Sequence, residues 1–541
     1  MKDISSTGSF INFYLNNYIY VDKTQYIRDL IKLERVFISR PRRFGKSLTL
    51  DTIATLFETG VEPYFKGTWI YDKWTEPTYP VFRLSFLNLD NFSLDEFKSE
   101  LNSKITDFAN KISVKGYVEK SEPENSIEGL LERLREEKRQ IVILIDEYDY
   151  QLTSNINNDD LYKQFQHKIK RFYANIKNKW AIKFLGITGV TRLKDVEIFS
   201  IGSDINDITN ESAFSQLIGF TREEIKKYYI DHLKLAASYE NNCSVDEVTD
   251  AQLESMLDMM AQNYDGYCFD EFYKKKVFST WSVNKFFQSV VNNEFVYFDE
   301  YWYDNGGLPS ILVNYLKTHE LNIFEYLDKD KFLKVSCDDF KNPTALTSMN
   351  QNVLMCQTGY LTLRSDLKKS STVLLGIPNG EIYKALNRLL ANNIFKGKAD
   401  VTDEQGKNLL EDGSVDDIIK LFNSALNTVS YDDYPIVSES SVQNMLKLYL
   451  IGAHQEVLSE VHESKGRADL IVNTDVKRIV FEFKYAKNET EAKAMLNEAV
   501  EQIKTRDYGN ILPKKNELLR IAAVFNADPK VRAFTEHQIV P

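Results

Sequence analysis

Short runs rich in β-branched residues alternate with longer helical patterns through the first two hundred residues. "RVFIS" (35–39), "YPVFRLSF" (79–86), "QIVILID" (140–146) and "AIKFLGITGV" (181–190) predict strands, with helices between them at 94–112 and 126–138. Such alternation is the signature of an α/β sheet. From about 215 to 425 the pattern is mainly helical, as in "TREEIKKYYIDHLKLAA" and "GEIYKALNRLLANNIF", and "TVSYDDYP" (428–435) reads as a polar linker. The last hundred residues change again. A helix at "SVQNMLKLYLIGA", a strand at "QEVLSEV", two strands within 466–484, a helix at 489–506 and a strand at "LLRIAAVF" compose an αβββαβ unit. Three modules are expected: 1–214, 215–427 and 428–541.

Length and composition fit that division. A chain of 541 residues with 43% hydrophobic and 27% charged residues is a multidomain globular protein. No apolar stretch approaches the ~20 residues of a bilayer span, so no membrane partner is expected. The first residues lack the pattern of a secretory signal. Four cysteines without CxxC spacing argue against a zinc site or a disulfide framework and favour the cytoplasm. A net charge of −12 excludes a surface that coats nucleic acid along its whole length. Residues 461–541 are less acidic, with 14 Lys and Arg against 12 Asp and Glu, so a local nucleic-acid site is compatible with the charge.

Two stretches of the N-terminal module carry chemistry. "VFISRPRRFGKSLTL" (36–50) places Gly45-Lys46-Ser47 between a strand and a helix whose apolar face is Leu50, Ile53, Ala54 and Phe57. A tight turn at a helix N-terminus aims N–H groups at phosphate oxygens. Lys46 is expected at the β and γ phosphates and the Ser47 hydroxyl on Mg²⁺. Arg40 stands where the usual loop begins with glycine, and the Arg-rich turn is expected to add phosphate contacts. The nucleotide-binding positions are therefore Arg40, Arg43, Gly45, Lys46, Ser47 and Leu48. "IVILIDEYD" (141–149) is a buried strand ending in Asp146, expected in the magnesium shell, and Glu147, expected to orient or deprotonate the attacking water. At the end of the next strand, Thr188 or Thr191 could sense the γ-phosphate and Arg192 could contact it.

The C-terminal unit poses a choice between a solvated hairpin and a metal site. Residues two apart share a strand face, so Glu482 and Lys484 point together while Phe481 and Phe483 point into a core. The preceding strand, folded back by a turn near 473–475, brings Asp469 to the same face. Two carboxylates suit Mg²⁺ or Mn²⁺, and Lys484 could orient the attacking water or stabilise negative charge. Gln502, at the edge of the helical stripe Leu496, Ala499 and Ile503, is a candidate catalytic residue facing the site. Glu439 or Glu460 could add a carboxylate, and Glu439 is preferred as a third metal ligand.

At these residues the chain resembles two known groups. The tail, through "GRADLIV" and "FEFK", resembles the PD-(D/E)XK nuclease superfamily. The remainder resembles the AAA-ATPase-like family often fused to such nucleases, through "YVDKTQYI" (20–27), "SRPRRFGKSL", "LIDEYD", "ITGVTRLKDVEIFS", "YDGYCF" (264–269), "TWSVNKFF" (280–287), "QTGYLTL" (357–363) and "IPNGEIYKAL" (377–386). Arg40 is what that family shows at its position. The resemblance implies an α/β multidomain protein: an AAA-like P-loop NTPase sheet domain, a mainly helical, winged-helix-like middle and a restriction-endonuclease-like αβββαβ tail. It implies ATP and a divalent metal as cofactors and Asp469, Glu482 and Lys484 as the nuclease triad. The expected function is an ATP-hydrolysing, metal-dependent nuclease acting on DNA or RNA and gated by nucleotide. The alternative is an ATPase signalling switch whose tail binds nucleic acid or protein without cutting. A homo-oligomer would allow a neighbour's arginine to act in the nucleotide site, with Arg42, Arg43 and Arg171 as candidates.

Overall fold

Val, Ile and Leu dominate the predicted N-terminal strands, and the structure stacks them into one parallel sheet. β1 (Arg35–Ser39), β2 (Val81–Ser85), β3 (Ile141–Asp146), β4 (Ile182–Gly189) and the short β5 (Asn206–Asp207) lie in the order β2-β3-β4-β1-β5. β1 is buried throughout and β3 as far as Ile145, which is why both read as continuous apolar runs. The computed structural model describes every residue except 178, 194–203, 303–309, 317–324, 344, 396–402, 454, 464–465, 475 and 510–516. Residues 194–200 of "ITGVTRLKDVEIFS" thus lie outside the described residues. α1 (Lys46–Thr59) leaves the C-terminal end of β1 and buries Leu50, Ile53, Ala54 and Phe57, the predicted face. With β4 on one side of β1 and β5 on the other, a crevice forms over the strand ends, where open α/β sheets hold ligands.

Packing divides the chain into two compact units, Met1–Leu321 with Lys329–Tyr383, and Asn322–Asp328 with Lys384–Pro541. The helical segment after 215 packs into the first unit. Its helices, including α2 (Thr280–Asn293), bury Tyr229, Leu233, Met256, Met260, Tyr264, Phe286 and Phe287, and the same core takes in Ile19 and Val21. A three-stranded antiparallel sheet follows, with β8 (Thr372–Gly376) between β6 (Leu333–Ser336) and β7 (Thr362–Leu363). α3 (Gly380–Ile394) begins in this unit and carries the buried Glu381. Its Oε1 accepts from the Trp302 amide and its Oε2 from the Ser282 hydroxyl, each at 2.7 Å.

The second unit is a mixed sheet in the order β13-β12-β11-β10-β9. It contains β9 (Glu456–Glu463), β10 (Gly466–Asn473), β11 (Lys477–Ala486), β12 (Glu517–Asn526) and β13 (Ala533–Ile539). β9, β10 and β11 form an antiparallel meander, and α6 (Glu489–Arg506) crosses over to set β12 parallel to β11. That is the predicted αβββαβ order, started by α5 (Glu439–Gly452), with a further strand, β13, antiparallel to β12. On one face α6 covers Ile471, Val480 and Ala522 with Ala499, Val500 and Ile503. On the other, Phe481 and Phe483 stack at 5.6 Å and meet Phe422 of α4 (Val415–Leu426) and Phe534. Both faces of β11 are therefore covered. Among the described residues no helix is long and apolar enough to cross a membrane.

Burial pushes the Glu381 carboxyl up to about 8 from its ordinary 4.5. The folded chain keeps a proton that the unfolded chain releases, so this contribution is complete below the unfolded value. It is lost as pH rises through the folded one. Glu381→Gln keeps both contacts without the titrating proton. Wild type should lose on the order of a few kcal/mol more than the variant between about pH 5 and pH 9. Thermal unfolding across that range checks this, and parallel curves for the two proteins would refute it.

Candidate active sites

The turn between β1 and α1 is shaped by two left-handed residues, Arg43 (φ 64) and Gly45 (φ 102). A Cβ on Gly45 would meet nothing within 4 Å, so conformation rather than space calls for glycine there. Arg43 holds the same region with a side chain, and its guanidinium lies 3.9 Å over the Trp281 ring while its carbonyl accepts from Thr280 Oγ1. The turn presents its amides at the start of α1. Lys46 is buried and donates to the carbonyls of Arg40 (3.0 Å) and Pro41 (2.9 Å), spanning the loop. Burial lowers its pKa, against the pull of Asp146, Glu147 and Asp149.

Asp146 and Ser47 meet as expected: the serine hydroxyl donates to Oδ2 at 2.5 Å. Oδ1 of Asp146 accepts from the Thr188 hydroxyl and from the Glu147 amide. Glu147 holds φ 52, and burial followed by the Asp146 charge raises its pKa. A cavity of about 600 Å³ opens over this cluster, lined by Arg42, Arg43, Lys46, Ser47, Leu48 and Glu147. Its apolar end, with Val21, Leu217, Phe220 and Tyr229, suits a nucleobase beside a phosphate end. Sequence reasoning missed that end, although "YVDKTQYI" had been singled out without a role.

Two expected contacts lie elsewhere. Arg40 turns away from the cavity, donating from Nη1 to the carbonyls of Ser39 and Thr209 with its guanidinium 4.0 Å over Phe269. Arg192 pairs with Asp207, and its amide donates to Gln357. Both line a small separate cavity, because the strand end leads their side chains towards β5. Arg171 is engaged by Glu124. Thr191 is held by Asp149, a buried residue that sequence reasoning passed over. The Asp149 carboxylate accepts from the Thr191 amide (2.6 Å), the Thr191 hydroxyl (2.5 Å) and the Val190 amide. It locks the end of β4 to the acidic segment after β3.

In the second unit the register pairs Ile471 with Val480, so Asp469, Glu482 and Lys484 share the face that α6 covers. β10 and β11 separate beyond Leu470, and Asp469 Oδ2 accepts from the Phe483 amide at 2.8 Å. Gln443 of α5 holds the Asp469 carbonyl at 2.5 Å. Lys484 donates to Glu482 (3.1 Å) and Glu439 (3.3 Å). Glu482 is fully buried, and its Oε2 has no hydrogen-bond partner among the described residues. Burial and then the Asp469 charge push its pKa up to about 8. Lys484 stays charged despite burial, held by Glu482 and Glu439. Glu482 and Lys484 are buried and Asp469 is half-buried, which is not the placing of a solvated hairpin face.

Among the described residues no three or more His, Cys, Asp and Glu groups converge as a metal shell. The oxygen pair is Asp469 and Glu482, and Glu439 serves Lys484 instead. An acidic pair with one orphaned buried oxygen fits a divalent cation. The Glu460 side chain lies outside the described residues. Gln502 reaches Tyr508 Oη at 3.4 Å.

Comparisons with known proteins agree with this division of labour. Residues 5–199 match the family model described as Predicted AAA-ATPase, and 437–535 match the PD-(D/E)XK nuclease superfamily. The chain is 25% identical over 530 residues to a protein of Azotobacter chroococcum mcd 1 described as "Uncharacterized protein in vnfD 5'region", covering 95% of this chain and 94% of that one. The crystal structure of CDC6P from Pyrobaculum aerophilum aligns with 68% of this chain and 92% of its own at 13% identity. Its TM-score of 0.22 is too low to support any inference.

A Cβ on Gly189 would stand 2.5 Å from the Tyr148 ring and 2.8 Å from the Asp149 carboxylate. Gly189→Ala should therefore destabilise the first unit by roughly 1–3 kcal/mol. Denaturant unfolding of the full chain checks this, and an unchanged midpoint would show that the β3 and β4 ends are not interlocked.

Proposed function

We propose that this chain, which joins an AAA-ATPase-like domain to a PD-(D/E)XK nuclease superfamily domain, hydrolyses ATP in its first unit. In its second it cleaves phosphodiester bonds of DNA or RNA, with nucleotide state gating the cut. The observation that carries the nuclease half is Glu482. One of its oxygens is bound by Lys484 and the other is buried without a partner among the described residues, beside Asp469. The oxygen stands beside a second carboxylate and a lysine, a set that suits a divalent cation.

In the first unit Lys46 spends two of its three protons on loop carbonyls, which would leave the third for a phosphate oxygen. Ser47 and Asp146 would hold the Mg²⁺ that accompanies ATP. Glu147, with its carboxyl pKa raised, is suited to take the proton of the attacking water. Arg42 and Arg43 line the phosphate end, while Arg40 and Arg192 fix the loop and strand behind it.

In the second unit Asp469 and Glu482 would hold Mg²⁺ or Mn²⁺, which when bound polarises the phosphodiester and acidifies water. The Phe483 amide fixes the Asp469 carboxylate, and Gln443 fixes its backbone. Glu439 and Glu482 aim the Lys484 ammonium, which orients the attacking water and offsets negative charge at the phosphate. Four free cysteines favour the cytoplasm.

Lys46→Ala and Glu147→Gln should each lower ATP turnover by about a hundredfold or more, and turnover at the wild-type rate in both would refute the nucleotide assignment. Nucleic-acid cleavage should require Mg²⁺ or Mn²⁺ and vanish in Asp469→Ala and Lys484→Ala. If wild type cuts no DNA or RNA in any nucleotide state, the tail is a binding module and the signalling alternative stands.

A further inference from the structure

α6 ends in Arg506, an exposed cation near the buried Glu482 and the half-buried Asp469. Its pKa is raised chiefly by the Tyr508 hydroxyl, with smaller contributions from the charges of Glu482 and Asp469. Yet neither carboxylate binds it. Nη1 of Arg506 donates to Tyr508 Oη at 2.8 Å, and the other donors of the fork have no partner among the described residues. Tyr508 is fully buried, and its oxygen also meets Gln502 Nε2. A fixed phenol thus sets where the guanidinium lies.

The strand side makes room for it. Gly466 opens β10, three residues before Asp469, and a Cβ there would stand 2.5 Å from Arg506 Cδ and 3.1 Å from Tyr508 Oη. Gly466 is not among the residues of positive φ, so space rather than conformation excludes a side chain. A surface arginine without a role would need neither a tyrosine to hold it nor a glycine to clear its path.

We infer that Arg506 is a substrate-binding residue: its guanidinium clamps a backbone phosphate of the nucleic acid next to the Asp469–Glu482–Lys484 cluster, and Tyr508 and Gly466 set its position. The inference rests on the nuclease reading of that cluster. A planar fork with free donors matches the two oxygens of a phosphodiester. Such a contact positions the strand without reading its bases. Gln502 then acts through Tyr508 as a positioning residue and does not touch the reacting atoms.

The test uses the full chain and short fluorescein-labelled DNA and RNA, single- and double-stranded. Cleavage is followed with Mn²⁺, and equilibrium binding without metal across a salt titration. Arg506→Ala should lower kcat/KM by about tenfold to a hundredfold and reduce the slope of log affinity against log salt by about one. Arg506→Lys should restore the slope but only part of kcat/KM. Gly466→Ala keeps the charge but displaces it, so it should lose kcat/KM with the slope near wild type. Unchanged kcat/KM and slope in Arg506→Ala, in a protein of wild-type thermal midpoint, would overturn the clamp. If wild type binds but never cuts, the nuclease reading fails. The slope of Arg506→Ala then decides alone: a drop of about one supports a phosphate contact, and no change refutes it.

Discussion

A phosphate loop must hold its amides open for a ligand, so its own carbonyls and charges need partners from behind. Here the helical segment provides them. Trp302 Nε1 donates to the Arg42 carbonyl and Thr280 to the Arg43 carbonyl, Trp281 underlies the Arg43 guanidinium, and Gly359 lets the chain approach Pro41 closely. The neutral carboxyl of Glu381 holds Trp302 in turn. That grip helps to offset the left-handed conformation of Arg43. The loop's geometry, and with it the pairing of Ser47 with Asp146, depends on residues more than two hundred positions away.

The buried acids of the second unit obey the same constraint with a different solution. Lys484 neutralises part of the charge on Glu482, and backbone amide and glutamine contacts fix Asp469. What the protein does not satisfy is one oxygen of Glu482. Leaving a buried polar oxygen without a partner costs free energy, and the raised pKa of Glu482 is the same cost seen in its titration.

Period and punctuation made most of the architecture legible. Apolar strands ending in Asp146 and Gly189, the helix after Gly45-Lys46-Ser47, and the i, i+2 placement of Glu482 and Lys484 are local patterns that tertiary packing did not alter. Direction was harder to read. Arg40 and Arg192 sit at strand ends, where one step of the chain decides which side of the sheet a long side chain takes, and no periodicity encodes that step. Asp149 was passed over because a carboxylate accepting backbone amides looks the same in sequence as a solvated one. The β13 segment "AFTEHQI" was missed because at the sheet edge only Phe534 is buried, so no alternating apolar pattern marks it. Burial of Glu482 was missed for the opposite reason: β10 and β11 alternate as a half-exposed pair does, yet α6 closes over the polar positions.

The path of the backbone adds one more result. Asn322–Asp328 belongs to the second unit although residues on both sides belong to the first. Leu327 offers its carbonyl to the buried Lys447 ammonium of α5 at 2.7 Å. A C-terminal fragment cut at the linker would leave that acceptor behind. The two units are thus threaded rather than strung together, and recombination that moved the tail to another protein as one contiguous block would move an incomplete fold.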